Sequence, residues 1–193
     1  MNDAGQSRQH LIEGGIVGIV ALAAVAASLW AAPGLRGALG AALALVMLAI
    51  SVIDARRFII PDTLSATALA LAFINAATQD WQTALAGIEA AVLRAAVLAA
   101  SFLAIRAAYA WIRGRQGIGL GDVKLAAVAG AWLEWTTIPI AIEIAALAAL
   151  ATVAVRQFAR GRPLRALGRL PFGLFLAPAI WLGWLLDATA LPV

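Results

Sequence analysis

Seven stretches of nearly unbroken apolar residues run through this chain, roughly 12–32, 35–53, 63–78, 83–111, 122–135, 139–157 and 171–187. A helix needs roughly 20 residues to cross a hydrocarbon core about 30 Å thick, and most of these runs are close to that length. Backbone polar groups in such a core must bond within their own segment, so the runs dictate an all-α, polytopic transmembrane bundle of six to seven spans. Hydrophobic residues make up 64% of the 193 positions and charged ones 12%, which excludes an ordinary water-soluble domain. The gaps between runs hold no soluble domain, so the expectation is a single integral-membrane unit over 1–193.

The run that follows the polar stretch Met1 to His10 has the outline of a signal peptide ending near Trp30-Ala31-Ala32. Its apolar part is too long and its start too weakly basic for that, so it is expected to be the first span. Pro33-Gly34, Pro61, Gly117 to Gly121, Pro139 and Pro171 mark the other boundaries. The run at 122–135 is the shortest.

The 14 basic residues do not form a stripe or tail of the kind that binds nucleic acid. They gather in alternate gaps: Arg56 and Arg57; Arg113, Arg115 and Lys124; Arg156, Arg160, Arg162, Arg165 and Arg169; with Arg8 ahead of the first run. Only Arg36 falls on the other side, while Arg94 and Arg106 lie inside a span. The positive-inside rule makes the rich side cytoplasmic, with the N-terminus in and the C-terminus out. The chain has no cysteine, hence neither a disulfide framework nor a thiolate metal site.

Two polar segments on that side carry more specificity than a loop requires. One runs from Asp54 to Asp62, directly after the second span; the other, Gly117 to Lys124, directly before the fifth. An ionised residue toward the bilayer centre costs about 2.5–3.5 kcal/mol on insertion scales, so Asp54 and Asp122 at its boundary call for a partner or a task. Two neighbouring carboxyls in a partly desolvated site share one proton. They can then take a proton from water and give one to a peptide group, without metal or cofactor. A helix N-terminus favours the ionised form of Asp122 by about 0.3–1 kcal/mol, which would make it the charged member. The glycines at 117, 119 and 121 are expected to take positive φ or to let backbone approach closely.

These residues resemble the type IV prepilin peptidases. The matching pieces, in the family's order, are Asp54 with Ile60-Pro61-Asp62, the GxGDxK motif as Gly119-Leu120-Gly121-Asp122-Val123-Lys124 followed by Gly130-Ala131-Trp132, and Leu170-Pro171-Phe172-Gly173-Leu174-Phe175-Leu176. The resemblance implies that Asp54 and Asp122 are the catalytic pair, with Gly119, Gly121, Lys124, Pro61 and Asp62 shaping the site. It implies a prepilin or pseudopilin substrate and a bacterial inner-membrane location. It further implies cleavage at the cytoplasmic face, after a short basic leader and before an apolar helix. Larger members carry a cytoplasmic insertion with paired cysteines linked to N-methylation. This chain has neither, and resembles the short, peptidase-only form. Glu134 stands where the family pattern has a glycine after the tryptophan.

Blander readings accompany each residue. Asp54 and Asp122 could be solvated helix caps; Asp62 reads as an N-cap ahead of the third span. Lys124 reads either as an anchor or as a group orienting a carboxylate or the substrate carbonyl, and Arg56 and Arg57 as topology anchors. Arg94 is expected to face the bundle interior and pair with Glu89 or Glu143. The seven tryptophans are expected mostly to anchor span ends at the interface. Two other functions compete: a small transporter or proton relay using intramembrane carboxylates, and a presenilin-type protease cutting inside spanning helices. The sequence leaves the oligomeric state open.

Overall fold

The protein is represented by a computed structural model that describes residues 3–78, 83–115, 117–160 and 171–190. These residues form seven helices and no strand: α1 (Asp3–Ala31), α2 (Leu35–Arg57), α3 (Asp62–Thr78), α4 (Ala84–Arg113), α5 (Leu120–Trp132), α6 (Thr137–Arg160) and α7 (Gly173–Ala190). Trp81, Arg162, Arg165, Arg169 and Leu170 lie outside the described residues.

Five helices, α1, α2, α4, α6 and α7, are long and apolar enough to cross a membrane. The 17 residues of α3 rise about 25 Å and the 13 of α5 only about 20 Å, at 1.5 Å per residue. The short α5 is a core helix. From Leu125 to Trp132 every residue except Ala127 is buried, as expected of a helix apolar on all sides. It packs most extensively on α4 and also touches α3 and α7, while α2 and α7 pack on each other. Fully buried Leu43, Met47 and Ile50 of α2, Leu125 and Val128 of α5, and Leu176, Ile180 and Trp184 of α7 form the centre. Around it, α1 rests on α2 and α7, and α6 on α7. Their outer faces present Ile19, Leu22, Leu29, Leu147 and Leu150, the surface a bilayer would cover.

Two helix boundaries differ from the sequence expectation, and the Pro33-Gly34 turn falls where it was expected. Asp54 does not follow α2 but sits in its last turn, where Arg56 and Arg57 favour continuation by complementing the helix C-terminus. Pro139 lies in the first turn of α6, where its missing N–H costs no helical bond. At the turn between α1 and α2, Gly34 takes φ 71°, a conformation that suits glycine.

The tryptophans also divide differently. Trp30, Trp111 and Trp135 are exposed and fit interface anchoring, but Trp132 and Trp184 belong to the core. The indole N–H of Trp132 donates to the Ala68 carbonyl at 2.8 Å and that of Trp181 to Ser28 Oγ at 3.0 Å. These two polar tips find partners inside the bundle, while the buried Trp184 Nε1 has none among the described residues.

Arg94 is buried as expected, but its partner is neither Glu89 nor Glu143, both of which are exposed. Its Nε donates to the Gly130 carbonyl and a terminal nitrogen pairs with Glu134 at 3.2 Å. Gly130 is the cause: a Cβ there would run into the Arg94 backbone, so only glycine lets α5 lie this close to α4. Glu134 follows one turn later and meets the guanidinium. Asp187 of α7 then accepts the Glu134 N–H at 3.1 Å and the Thr137 hydroxyl, joining α4, α5, α6 and α7 at this end.

Candidate active site

The other end of the bundle holds both aspartates. At the end of α2, Phe58 adopts a left-handed conformation (φ 55°) and its N–H caps the Asp54 carbonyl at 2.9 Å. The chain then runs past Ile59 and Ile60 to Pro61, whose carbonyl accepts the Ser65 N–H as α3 begins. Asp54 itself is 5% exposed. Its Oδ2 accepts the Leu174 N–H at 2.9 Å, and Gly173 supplies a second peptide N–H. A Cβ on Gly173 would fall 2.8 Å from that oxygen, so glycine lets the N-terminus of α7 close onto the carboxyl. Peptide N–H groups at a helix N-terminus stabilise an anion.

Asp122 lies in the first turn of α5 and its Oδ2 accepts the Gly119 N–H at 3.1 Å, one half of a capping box with glycine at the cap. Burial pushes its pKa up to about 6, against the lowering effect of the Gly119 N–H and with a further rise from the charge of Asp54. Desolvation therefore outweighs the helix N-terminus that was expected to keep Asp122 charged.

Both aspartates line one cavity of about 540 Å³, together with Phe58, Ile59, Ile60, Asp62, Arg106, Lys124, Phe172 and the strand of backbone from Gly117 to Gly121. Among the other sequence-derived site residues, Gly119, Gly121, Lys124 and Asp62 border this cavity and Pro61 does not. Asp62 is the first residue of α3, and its carboxylate accepts Lys124 Nζ instead of capping its own helix. Both side chains are well exposed, so this pair ties α3 to α5 with about 1 kcal/mol at most. The glycines act through close approach alone: none of 117, 119 and 121 has positive φ. A Cβ on Gly121 would press on Ile60 at 3.0 Å, and one on Gly117 on the Tyr109 ring at 2.6 Å. Ile60 also lies under Gly173, which makes it the apolar spacer between the aspartate-bearing elements.

Arg106 and Tyr109 were not singled out from the sequence as site residues, and Ile60 and Gly173 were quoted only within motif segments. Arg106 had a signal, a cation inside an apolar run, and Gly173 stood in the quoted Pro-Phe-Gly segment. Among the described residues, no three acidic or histidine side chains converge as a metal site would require.

The Type IV leader peptidase family model matches residues 41–154. The chain belongs to this family. It is 39% identical over 160 residues to the prepilin leader peptidase/N-methyltransferase of Burkholderia pseudomallei, covering 82% of this chain and 50% of that relative. The enzyme of the same name from Aeromonas hydrophila is 28% identical over 173 residues, with coverage of 86% and 56%. Leader peptidase HopD of Escherichia coli is 40% identical over 85 residues, 44% of this chain and 54% of its own. The chain thus spans about half the length of these curated relatives. No solved structure matches it. The matched stretch takes in Asp54, the Gly117–Lys124 segment, Arg94 and Glu134, so it covers the elements that carry both aspartates, while α7 lies beyond it.

Proposed function

We propose that this leader peptidase family member is an aspartic-type endopeptidase of a bacterial inner membrane, removing the short basic leader of prepilin-like or pseudopilin precursors at the cytoplasmic face. The observation that carries the reading is the shared cavity: two carboxyls from α2 and α5, far apart in sequence, border one space and feel each other's charge.

Two close carboxyls hold one proton between them. Asp54 accepts two peptide N–H groups against one on Asp122, so in this reading Asp54 is the ionised member and Asp122 holds the proton. Asp54 then takes a proton from a water molecule as the water oxygen attacks the scissile carbonyl carbon, while Asp122 gives its proton to the carbonyl oxygen. As the tetrahedral gem-diol collapses, one hydroxyl returns its proton to Asp122 and reforms the C=O, the C–N bond breaks, and the proton held by Asp54 passes to the leaving amine. The cavity lip, with Phe58, Ile59 and Leu120 exposed, suits the apolar segment that follows a leader.

Cytoplasmic placement is supported by Arg56, Arg57, Arg113, Arg115 and Lys124, which all cluster at the cavity end. Against a transporter stands the position of both carboxyls at one end of the bundle instead of its middle. Methyl transfer is not part of the proposal.

The test is leader removal in proteoliposomes, read by mass spectrometry with a prepilin-like precursor. Asp54→Asn and Asp122→Asn should each lose about 10²–10⁴-fold in rate, the usual contribution of a general acid or base, while inserting normally. Wild-type cleavage by both variants would remove the basis for the reading.

A further inference from the structure

The GxGD segment needs something to hold it. Gly117, Ile118 and Gly119 lie outside any helix, yet the carboxyl of Asp122 is oriented through the Gly119 N–H. Two residues one turn apart on α4 grip this segment from the side. Arg106 donates a guanidinium hydrogen bond to the Ile118 carbonyl. Tyr109 lays its ring where a Gly117 side chain would stand, 2.6 Å from a Cβ built there. Residues at i and i+3 share a helix face, so these contacts act together on successive backbone units. Arg106 lies seven residues before the end of α4, about 10 Å into the bundle at 1.5 Å per residue, where an arginine is unfavourable unless it is put to use.

We propose that Arg106 and Tyr109 form a clamp on the GxGD segment, and that Arg106 is a positioning residue which holds Asp122 in line with Asp54. The inference rests on the peptidase reading above. The clamp acts through backbone: Arg106 fixes the Ile118 carbonyl, Tyr109 fixes the plane of Gly117, and the next peptide unit delivers the Gly119 N–H to Asp122. Arginine suits the task because its planar fork offers several donors from one rigid group. Tyr109 contributes ring area, so its hydroxyl is not required. Gly117 is needed because any side chain would displace the ring.

The experiment combines kinetics with spectroscopy on the full chain in proteoliposomes. The protein has no cysteine, so Leu120→Cys gives a single site for a nitroxide spin label beside Asp122. Arg106→Ala should lower kcat about 10²-fold, the cost of misplacing a reacting group by about 1 Å, with KM within twofold. Its spin-label spectrum should sharpen toward a mobile loop. Arg106→Lys should recover part of the rate, Tyr109→Phe should match wild type, and Tyr109→Ala should lower kcat and sharpen the spectrum.

An Arg106→Ala protein with unchanged kcat and an unchanged spectrum overturns the clamp. So does a raised KM with kcat and spectrum intact, which would make Arg106 a substrate contact. If Arg106→Ala does not insert, the Tyr109 pair decides: equal behaviour of the Phe and Ala variants in rate and spectrum overturns the proposal. If wild type cleaves no precursor, the peptidase reading fails, and the spectra still decide whether α4 holds the segment.

Discussion

Charge is handled in opposite ways at the two ends of the bundle. At the end away from the cavity, Arg94 bonds to the Gly130 carbonyl and to Glu134, and Asp187 accepts from Glu134 and Thr137, so charged and polar atoms from four helices satisfy one another. At the cavity end, Asp54 and Asp122 face a common space, and among the described residues the partners of their oxygens are peptide N–H groups. A closed network holds helices together; a pair of carboxyls set in one cavity is destabilising to fold and useful for chemistry. The contrast explains why the short α5 is needed. Its end at Glu134 is fastened, so its other end can present Asp122 in a poorly solvated position.

This comparison breaks most easily at Arg94. Arg94→Leu leaves the Gly130 carbonyl without its donor and Glu134 without its cation, and should cost about 3 kcal/mol of stability, the lower part of the range for breaking a buried ion pair. Glu134 is half exposed and can regain water, which keeps the figure low. Thermal unfolding in detergent measures the loss, while kcat per folded molecule should stay unchanged. An unaltered melting temperature would mean the network is not what fastens α5.

The smaller effect has the opposite sign. The Asp122 pKa is raised from 3.8 to about 6 in the folded protein, so folding favours its protonated form. Ionising it therefore costs stability. The cost is absent below pH 3.8, grows through the interval and is complete above pH 6. Asp122→Asn removes this cost, keeps an acceptor for the Gly119 N–H, and should raise stability at pH 7 by about 1–2 kcal/mol, less than the ~3 kcal/mol of the full shift because the side chain is only partly buried. It should give no gain below pH 3.8. A variant that is inactive yet more stable separates site from scaffold.

Sequence reading located the helices well because bilayer thickness and backbone hydrogen bonding leave few choices for a long apolar run. It could not tell that α5 is a core helix, since a 13-residue apolar stretch looks the same whether it meets lipid or protein. Asp54 and Asp122 stood out as charges at run boundaries, and both line one cavity. The partner of Arg94 was misassigned for a local reason. It depends on the close approach that Gly130 allows, and nothing in the spacing of Arg94 from Glu89 or Glu143 reveals it. The glycines near Asp122 were credited with two properties, and only close packing against Ile60 and Tyr109 is used. Arg106 was visible as an intramembrane cation, but its acceptor is a backbone carbonyl, which carries no sequence signal.

The coupled carboxyl pair is tested most directly by titrating the Asp122 side chain, through isotope-labelled carboxyl NMR or infrared spectroscopy, in wild type and in Asp54→Asn. Half-protonation near pH 6 in wild type, moving downward once the Asp54 charge is gone, is the expected result. A wild-type midpoint near the ordinary 3.8, or one indifferent to Asp54, would contradict it.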